Sequence, residues 1–196
     1  MAGQLDRVLG LLERWGYVDG WSLTPAGDRL ARLYHELDLL LAQVLEEGLL
    51  DGLDPPAVAG LVSVLTYETR GPAPSPPAFP DAESRSRWRA IEALAARLER
   101  AEVEAGLPPS RLPDPGFLAA ARAWAAGQDL GRIVGDDALS GGDFVRNAKQ
   151  LVDLLQQIGQ VAPDPATAGA ARKAAAAVRR GVVAASSVLE PTPAGW

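Results

Sequence analysis

A chain of 196 residues, 47% of them hydrophobic and 22% charged, is one domain, or one domain plus a fragment, with enough apolar material for a core without covalent staples. It has no cysteine, which excludes a disulfide framework and any thiolate zinc site and suits a reducing cytoplasm. The net charge of −6 argues on average against nucleic-acid binding, but residues 1–70 carry 5 basic and 11 acidic side chains, residues 71–140 carry 8 and 10, and residues 141–196 carry 6 and 4. A bound polyanion is therefore expected on the C-terminal part. No apolar run is long enough to span a bilayer and no signal peptide opens the chain, so the expectation is a soluble cytoplasmic protein with no membrane partner.

Nearly every segment repeats at helical period. Residues 4–15 put Leu5, Val8, Leu9, Leu12 and Trp15 on one stripe. Asp19-Gly20 then marks a hairpin between two short β-prone pieces, which predicts a small two-stranded wing. Thr24-Pro25 opens a helix expected to run to about Glu47, with Leu30, Leu33, Leu37, Leu41, Val44 and Leu45 apolar and Gly48 as its stop. Asp54-Pro55 opens the next, carrying Val58, Leu61, Val62 and Leu65.

The proline-rich stretch at 71–81 cannot be helical and is expected to be an extended surface loop. A helix over about 82–105 follows, with Trp88, Ile91, Leu94, Leu98 and Ala101 at helical spacing. A shorter one runs from Phe117 to Ala126 and is capped by Gly127, and "DLGRIV" adds one more turn. The stretch from Gly141 to Gly159 predicts a helix with Asp143 as N-cap and Gly159 as its end. Asp164-Pro165 begins a long Ala-rich helix to about Val188. The fold class is all-α: a bundle of about seven helices with a small wing near the N-terminus.

Much familiar chemistry is missing from the sequence. There is no Gly-Lys pair, hence no phosphate-cradling loop of the Walker type. His35 is the only histidine, so neither a Ser-His-Asp triad nor a two-His metal site can be built, and His35 reads as a packed or half-exposed structural side chain on a Leu-rich helix. Glu46-Glu47 and Asp136-Asp137 sit where helix ends and loops place carboxylates. The chain does not read as a stand-alone enzyme: no catalytic residue, cofactor site or metal site is expected in it.

The segment 141–159 has two sides. Phe144, Ala148, Leu151, Leu155 and Ile158 form an unbroken apolar seam. Arg146, Gln150, Asp153 and Gln157 recur at spacings of four, three and four on another face, flanked by Lys149 and Gln156. Amides can donate to and accept from base edges, cations hold phosphates, and a carboxylate accepts from exocyclic amines, so such a face could hold unpaired bases without demanding one sequence. A solvated helix face carries the same residue types, and the pattern alone leaves both readings open. Arg172, Lys173, Arg179 and Arg180 recur seven apart as a basic band, which helix-dipole complementarity also explains. Trp15, Trp88 and Trp124 lie on apolar stripes as core candidates, whereas Trp21 and Trp196 have no evident partner.

In their order, the pieces from "VLGLLERWGYVDGWSLTPAGDRLA" through "FLAAARAWAAGQDLGRIV", "SGGDFVRNAKQLVDLLQQIG" and "RRGVVAASSVL" resemble the DSH C-terminal (DSHCT) helical-bundle domain of superkiller-like DExH-box RNA helicases, over roughly Val8 to Leu189. The resemblance implies a domain that hydrolyses nothing itself. It would contact single-stranded RNA beside RecA-like motor domains of the same longer protein, where ATP and magnesium act. The segment 141–159 matches the family's ratchet helix, and the family's base-contacting pair, a basic and an acidic residue three apart, falls on Gln150 and Asp153. Asp153 keeps the acidic character; Gln150 departs from the basic one, and Arg146 or Lys149 would supply that charge. Residues 1–27 resemble the tail of a winged-helix domain, which leaves 28–196 as the bundle proper. Two alternatives remain on the sequence: a winged-helix DNA-binding regulator, since "LLERWGYVDGWSLTPAGDRLA" also fits a wing and its neighbours, and a helical protein-interaction module.

Overall fold

The structure is a computed structural model that describes residues 2–69, 77–133 and 140–188. The proline-rich stretch as far as residue 76, Asp136-Asp137 and Trp196 lie outside the described residues. Ten helices and one two-stranded sheet are present among them: α1 (Ala2–Arg14), β1 (Val18–Asp19), β2 (Ser22–Leu23), α2 (Pro25–Leu30), α3 (Asp38–Glu46), α4 (Pro55–Thr66), α5 (Ala82–Glu104), α6 (Leu118–Ala125), α7 (Leu130–Ile133), α8 (Gly141–Val161), α9 (Pro165–Val178) and α10 (Gly181–Val188). The all-α architecture with a small wing is as the sequence predicts. The helices number ten instead of about seven chiefly because two long expected helices each divide.

The wing is minimal: β1 and β2 pair antiparallel, Val18 opposite Leu23 and Asp19 opposite Ser22. Thr24 then closes α1 onto α2. Its hydroxyl donates to the Gly16 carbonyl at 2.7 Å and accepts from the Gly27 N–H at 3.1 Å, which caps a helix whose first residue is Pro25.

The centre of the bundle is α4. Every residue from Ala57 to Leu65 is buried, so this helix shows no polar face and must be enclosed on all sides. Around it stand α5, α6, α8 and α9. Asp54 caps α4 by accepting from the Ala57 N–H at 2.8 Å. An aromatic group fills the space beside it: Phe144 meets Phe117 and Trp124 edge-on, with ring centroids 5.5 and 5.2 Å away, and Tyr67 stacks on Phe117 at 5.6 Å. Trp88 and Trp124 are buried, and Trp15 packs half-buried against the core, as their stripes predict.

Gly159 does not end α8; it lies inside it. A Cβ there would sit 2.6 Å from Arg172 Cγ, so the glycine permits close approach of α9 and the helix runs on to Val161. The cap at the other end is Ser140, whose hydroxyl accepts from the Asp143 N–H at 3.1 Å; Asp143 is the third helical residue, not the N-cap. The expected helix from Asp164 to Val188 divides after Val178. Gly181 has φ +51, and the Arg180 guanidinium turns inward, 3.6 Å over the Trp124 ring, donating to the Trp124 carbonyl at 2.8 Å.

The other division positions the site. The helix expected over 24–47 stops at Leu30, and residues 31–37 form a turn before α3. Backbone N–H groups that a helix would bond internally find other partners. The Tyr34 N–H donates to Gln157 Oε1 at 2.7 Å, and the Leu37 N–H donates to His35 Nδ1 at 3.0 Å. Leu33 and Leu37 still reach the core from either end of the turn. One of these partners lies 123 residues away in sequence, beyond the reach of local periodicity.

Candidate nucleic-acid interface

The amphipathic character of α8 divides it cleanly. Phe144, Ala148, Leu151, Leu155 and Ile158 are all at 0% exposure, so the seam faces the core throughout. Burying such side chains contributes roughly 1.5–3 kcal/mol each for the larger ones, which fixes the rotation of α8 about its axis. The opposite side is thereby set at the surface. Arg146, Gln150 and Asp153 are exposed, and Gln157 is half-buried.

Three of these residues share a cleft. Gln150, Asp153 and Gln157, with Leu154 between them, form one wall of an open depression of about 300 Å³. Tyr34, His35 and Glu36 of the 31–37 turn, Thr66 at the end of α4, and Arg111 complete it. Lys149 and Arg146 are not in its lining. Arg146 lies a turn nearer the start of α8, its guanidinium paired with the Asp143 carboxylate on the same helix. Lys149 is half-buried and engaged in an interaction of its own.

The cation of the cleft is Arg111. It pairs through Nε with Glu36 Oε1 at 2.9 Å and donates to the Leu65 carbonyl, tying the turn to the end of α4. The surroundings of His35 disfavour its charged form. Burial first, then the nearby Arg111 charge, lowers its pKa below the ordinary 6.5, while Glu36 pulls the other way. A neutral ring is what allows Nδ1 to accept the Leu37 N–H. The structural role expected for His35 is the one it has.

Gln157 is not a free contact: its side-chain oxygen holds the Tyr34 amide. Gln150 and Asp153 are the two members of the expected set that are exposed on the cleft wall. Sequence reasoning missed Tyr34 and Arg111. In an unbroken helix Tyr34 would follow Leu30 by four residues and precede Leu37 by three, so periodicity assigns it to the apolar stripe. The turn instead places it at 81% exposure.

The expected basic band on the last helices is reduced. Arg180 is turned onto Trp124, and Arg172 donates to the Gly159 carbonyl. Arg172, Lys173 and Arg179 are nevertheless exposed, and only Arg180 is half-buried. Among the described residues no group of three His, Asp or Glu side chains is placed to hold a metal ion, and no helix is long and apolar enough to cross a membrane.

Fold and cleft together define a helical-bundle domain in which one long helix presents an open polar edge. The sequence profile of the DSHCT (NUC185) domain matches residues 20–186, and the chain belongs to that family. Two curated relatives are each called probable helicase HelY. That of Mycobacterium tuberculosis (strain ATCC 25618 / H37Rv) is 36% identical over 199 residues, and that of Mycobacterium leprae (strain TN) is 38% identical over 199 residues. Each match covers 94% of this chain, and the chain spans 22% of the length of each relative.

Proposed function

We propose that the chain is the C-terminal helical-bundle domain of an ATP-dependent, superkiller-like DExH-box RNA helicase. In this reading α8 acts as a ratchet helix that lays Gln150 and Asp153 against the bases of a single strand. The RecA-like motor domains belong to the rest of a longer protein, and ATP and magnesium act there. No step of nucleotide chemistry runs through the residues of this chain, whose sequence has no phosphate-cradling loop. Family membership and relatives named as probable helicases support the helicase part of the reading.

The observation that carries the RNA part is the exposure of Gln150 and Asp153 on the wall of a cleft while the other side of α8 is fully buried. An amide offers a donor and an acceptor, and a carboxylate accepts from exocyclic amines, so the pair can meet base edges of more than one kind. The cleft carries Glu36 and Asp153 against Arg111 alone, with His35 neutral. Phosphate attraction is therefore weak there, and contact with bases is favoured over contact with the backbone.

The test is fluorescence anisotropy of the 196-residue chain with a labelled single-stranded oligoribonucleotide, and with RNA and DNA duplexes. The reading expects single-strand preference and a loss of roughly tenfold when Gln150→Ala and Asp153→Ala are combined, on the scale of one good base contact. Tight duplex DNA binding without single-strand preference would favour a winged-helix regulator. Single-strand binding that ignores the double substitution would leave α8 as a docking face for protein.

A further inference from the structure

We propose that Tyr34 is a base-stacking platform on the cleft, laid beside the Gln150 and Asp153 edge of α8 so that one base of a single strand is held by its face and its edge together. The inference rests on the single-strand reading above and adds a residue from a different element.

Three observations carry it. A tyrosine at 81% exposure between two buried leucines, Leu33 at 4% and Leu37 at 2%, leaves a large apolar ring in water on a short, anchored turn. The turn is fixed on the side facing α8, because Gln157 Oε1 accepts the Tyr34 N–H at 2.7 Å. Within the turn the His35 Nδ1 accepts the Leu37 N–H at 3.0 Å, and the 2.9 Å ion pair of Glu36 ties the turn to Arg111. The backbone that bears the ring is thus ordered before any ligand arrives, which lowers the entropic cost of binding.

The chemistry of the remaining lining selects the ligand. The cleft is open and about 300 Å³, with Tyr34 and the polar atoms of Gln150 and Asp153 around it. A flat ring with a polar edge satisfies both. Every nucleobase has a π-face, so stacking on tyrosine is tolerant of sequence, and the amide and carboxylate at the edge would add preference without imposing one sequence. Tyr34 is tied to α8 through its own backbone amide, so truncating its side chain removes the ring and leaves the tie.

The experiment compares the whole chain with Tyr34→Ala and Tyr34→Trp. The probes are a single-stranded oligoribonucleotide carrying 2-aminopurine and a strand of equal length made of abasic sugar phosphates. Tyr34→Ala is expected to weaken binding of the base-bearing strand about tenfold, the scale of one lost base–aromatic stack, and to leave the abasic strand unchanged. Tyr34→Trp is expected to restore affinity and to quench 2-aminopurine more strongly. Unchanged far-UV circular dichroism would confirm that the fold survives in both variants. If Tyr34→Ala binds the base-bearing strand like wild type while Gln150→Ala with Asp153→Ala binds it weakly, the platform is wrong and the single-strand reading stands. If wild type does not favour the base-bearing strand over the abasic one, base contact at this cleft is wrong altogether.

Discussion

The two flanks of α8 make an instructive pair. On the flank toward the 31–37 turn, Gln150 and Asp153 are left exposed, and the neighbouring elements supply an exposed tyrosine and a cation already paired with Glu36. On the flank toward α9, a wider groove of about 640 Å³ is lined by Gln156, Gln160, Arg172 and Arg179 with two alanines. That groove looks better suited to a polyanion by charge alone. Yet the cations around it are partly consumed by the fold: Arg172 serves the Gly159 carbonyl and Arg180 the Trp124 carbonyl and ring. A count of positive charge along the sequence therefore favours the α9 flank, whereas the proposed contact lies on the other. What separates the two is the exposed aromatic ring of Tyr34 beside the polar groups of the cleft, which the α9 groove lacks among its lining residues.

Cutting one cation on the α9 side tests this division with the largest expected effect. Arg180→Ala removes a guanidinium that lies over Trp124 and bonds two backbone carbonyls, leaving those groups without their partner. A charged hydrogen bond and a half-buried cation–π contact together make a stability loss of about 2 kcal/mol the expected outcome in urea unfolding. Single-strand affinity of the folded fraction should not change. A stable variant with weakened RNA binding would reverse the assignment of the two flanks.

A smaller effect concerns pH and the turn that carries Tyr34. His35 has its pKa lowered by burial and by Arg111, so the folded protein resists its protonation. As pH falls through the ordinary value of 6.5, the unfolded chain takes up the proton first, and stability is lost until the folded value is reached. Above 6.5 the contribution is flat. Asp38, raised by burial above its ordinary 3.8, acts with the opposite sign in a window that begins just above 3.8. Comparing urea midpoints at pH 7.5 and 5.5, wild type should fall further than His35→Gln. Equal falls would mean that the fold does not disfavour the charged form of His35.

The contrast also marks what the sequence makes legible. Helix starts with a capping residue before proline were readable because the signal is local: Thr24-Pro25, Asp54-Pro55 and Asp164-Pro165 all open helices. The buried seam of α8 was readable because its period is unbroken from Phe144 to Ile158. The turn at 31–37 was not, since its Tyr34 amide is bonded to a glutamine far along the chain, and the apolar spacing of Leu30, Leu33, Leu37 and Leu41 fits a continuous helix equally well. Gly159 misled for a related reason. A glycine near the end of a pattern reads as a stop, whereas here it marks the crossing of α8 and α9. At the candidate site, spacing put Gln150 and Asp153 on one face and the family resemblance singled out the pair; both are exposed on the cleft wall. Gln157 was placed on the right face but serves the fold, and Tyr34 was hidden by the helix that did not continue.

The most direct measurement is photocrosslinking of the whole chain to a single-stranded oligoribonucleotide carrying 4-thiouridine, with the attached peptides mapped by mass spectrometry. Crosslinks are expected on the peptides bearing residues 31–37 and 150–157, sharply reduced when Gln150→Ala and Asp153→Ala are combined. Crosslinks confined to the α9 groove around Arg172 and Arg179, or to the wing at Trp21, and indifferent to that double substitution, would contradict it.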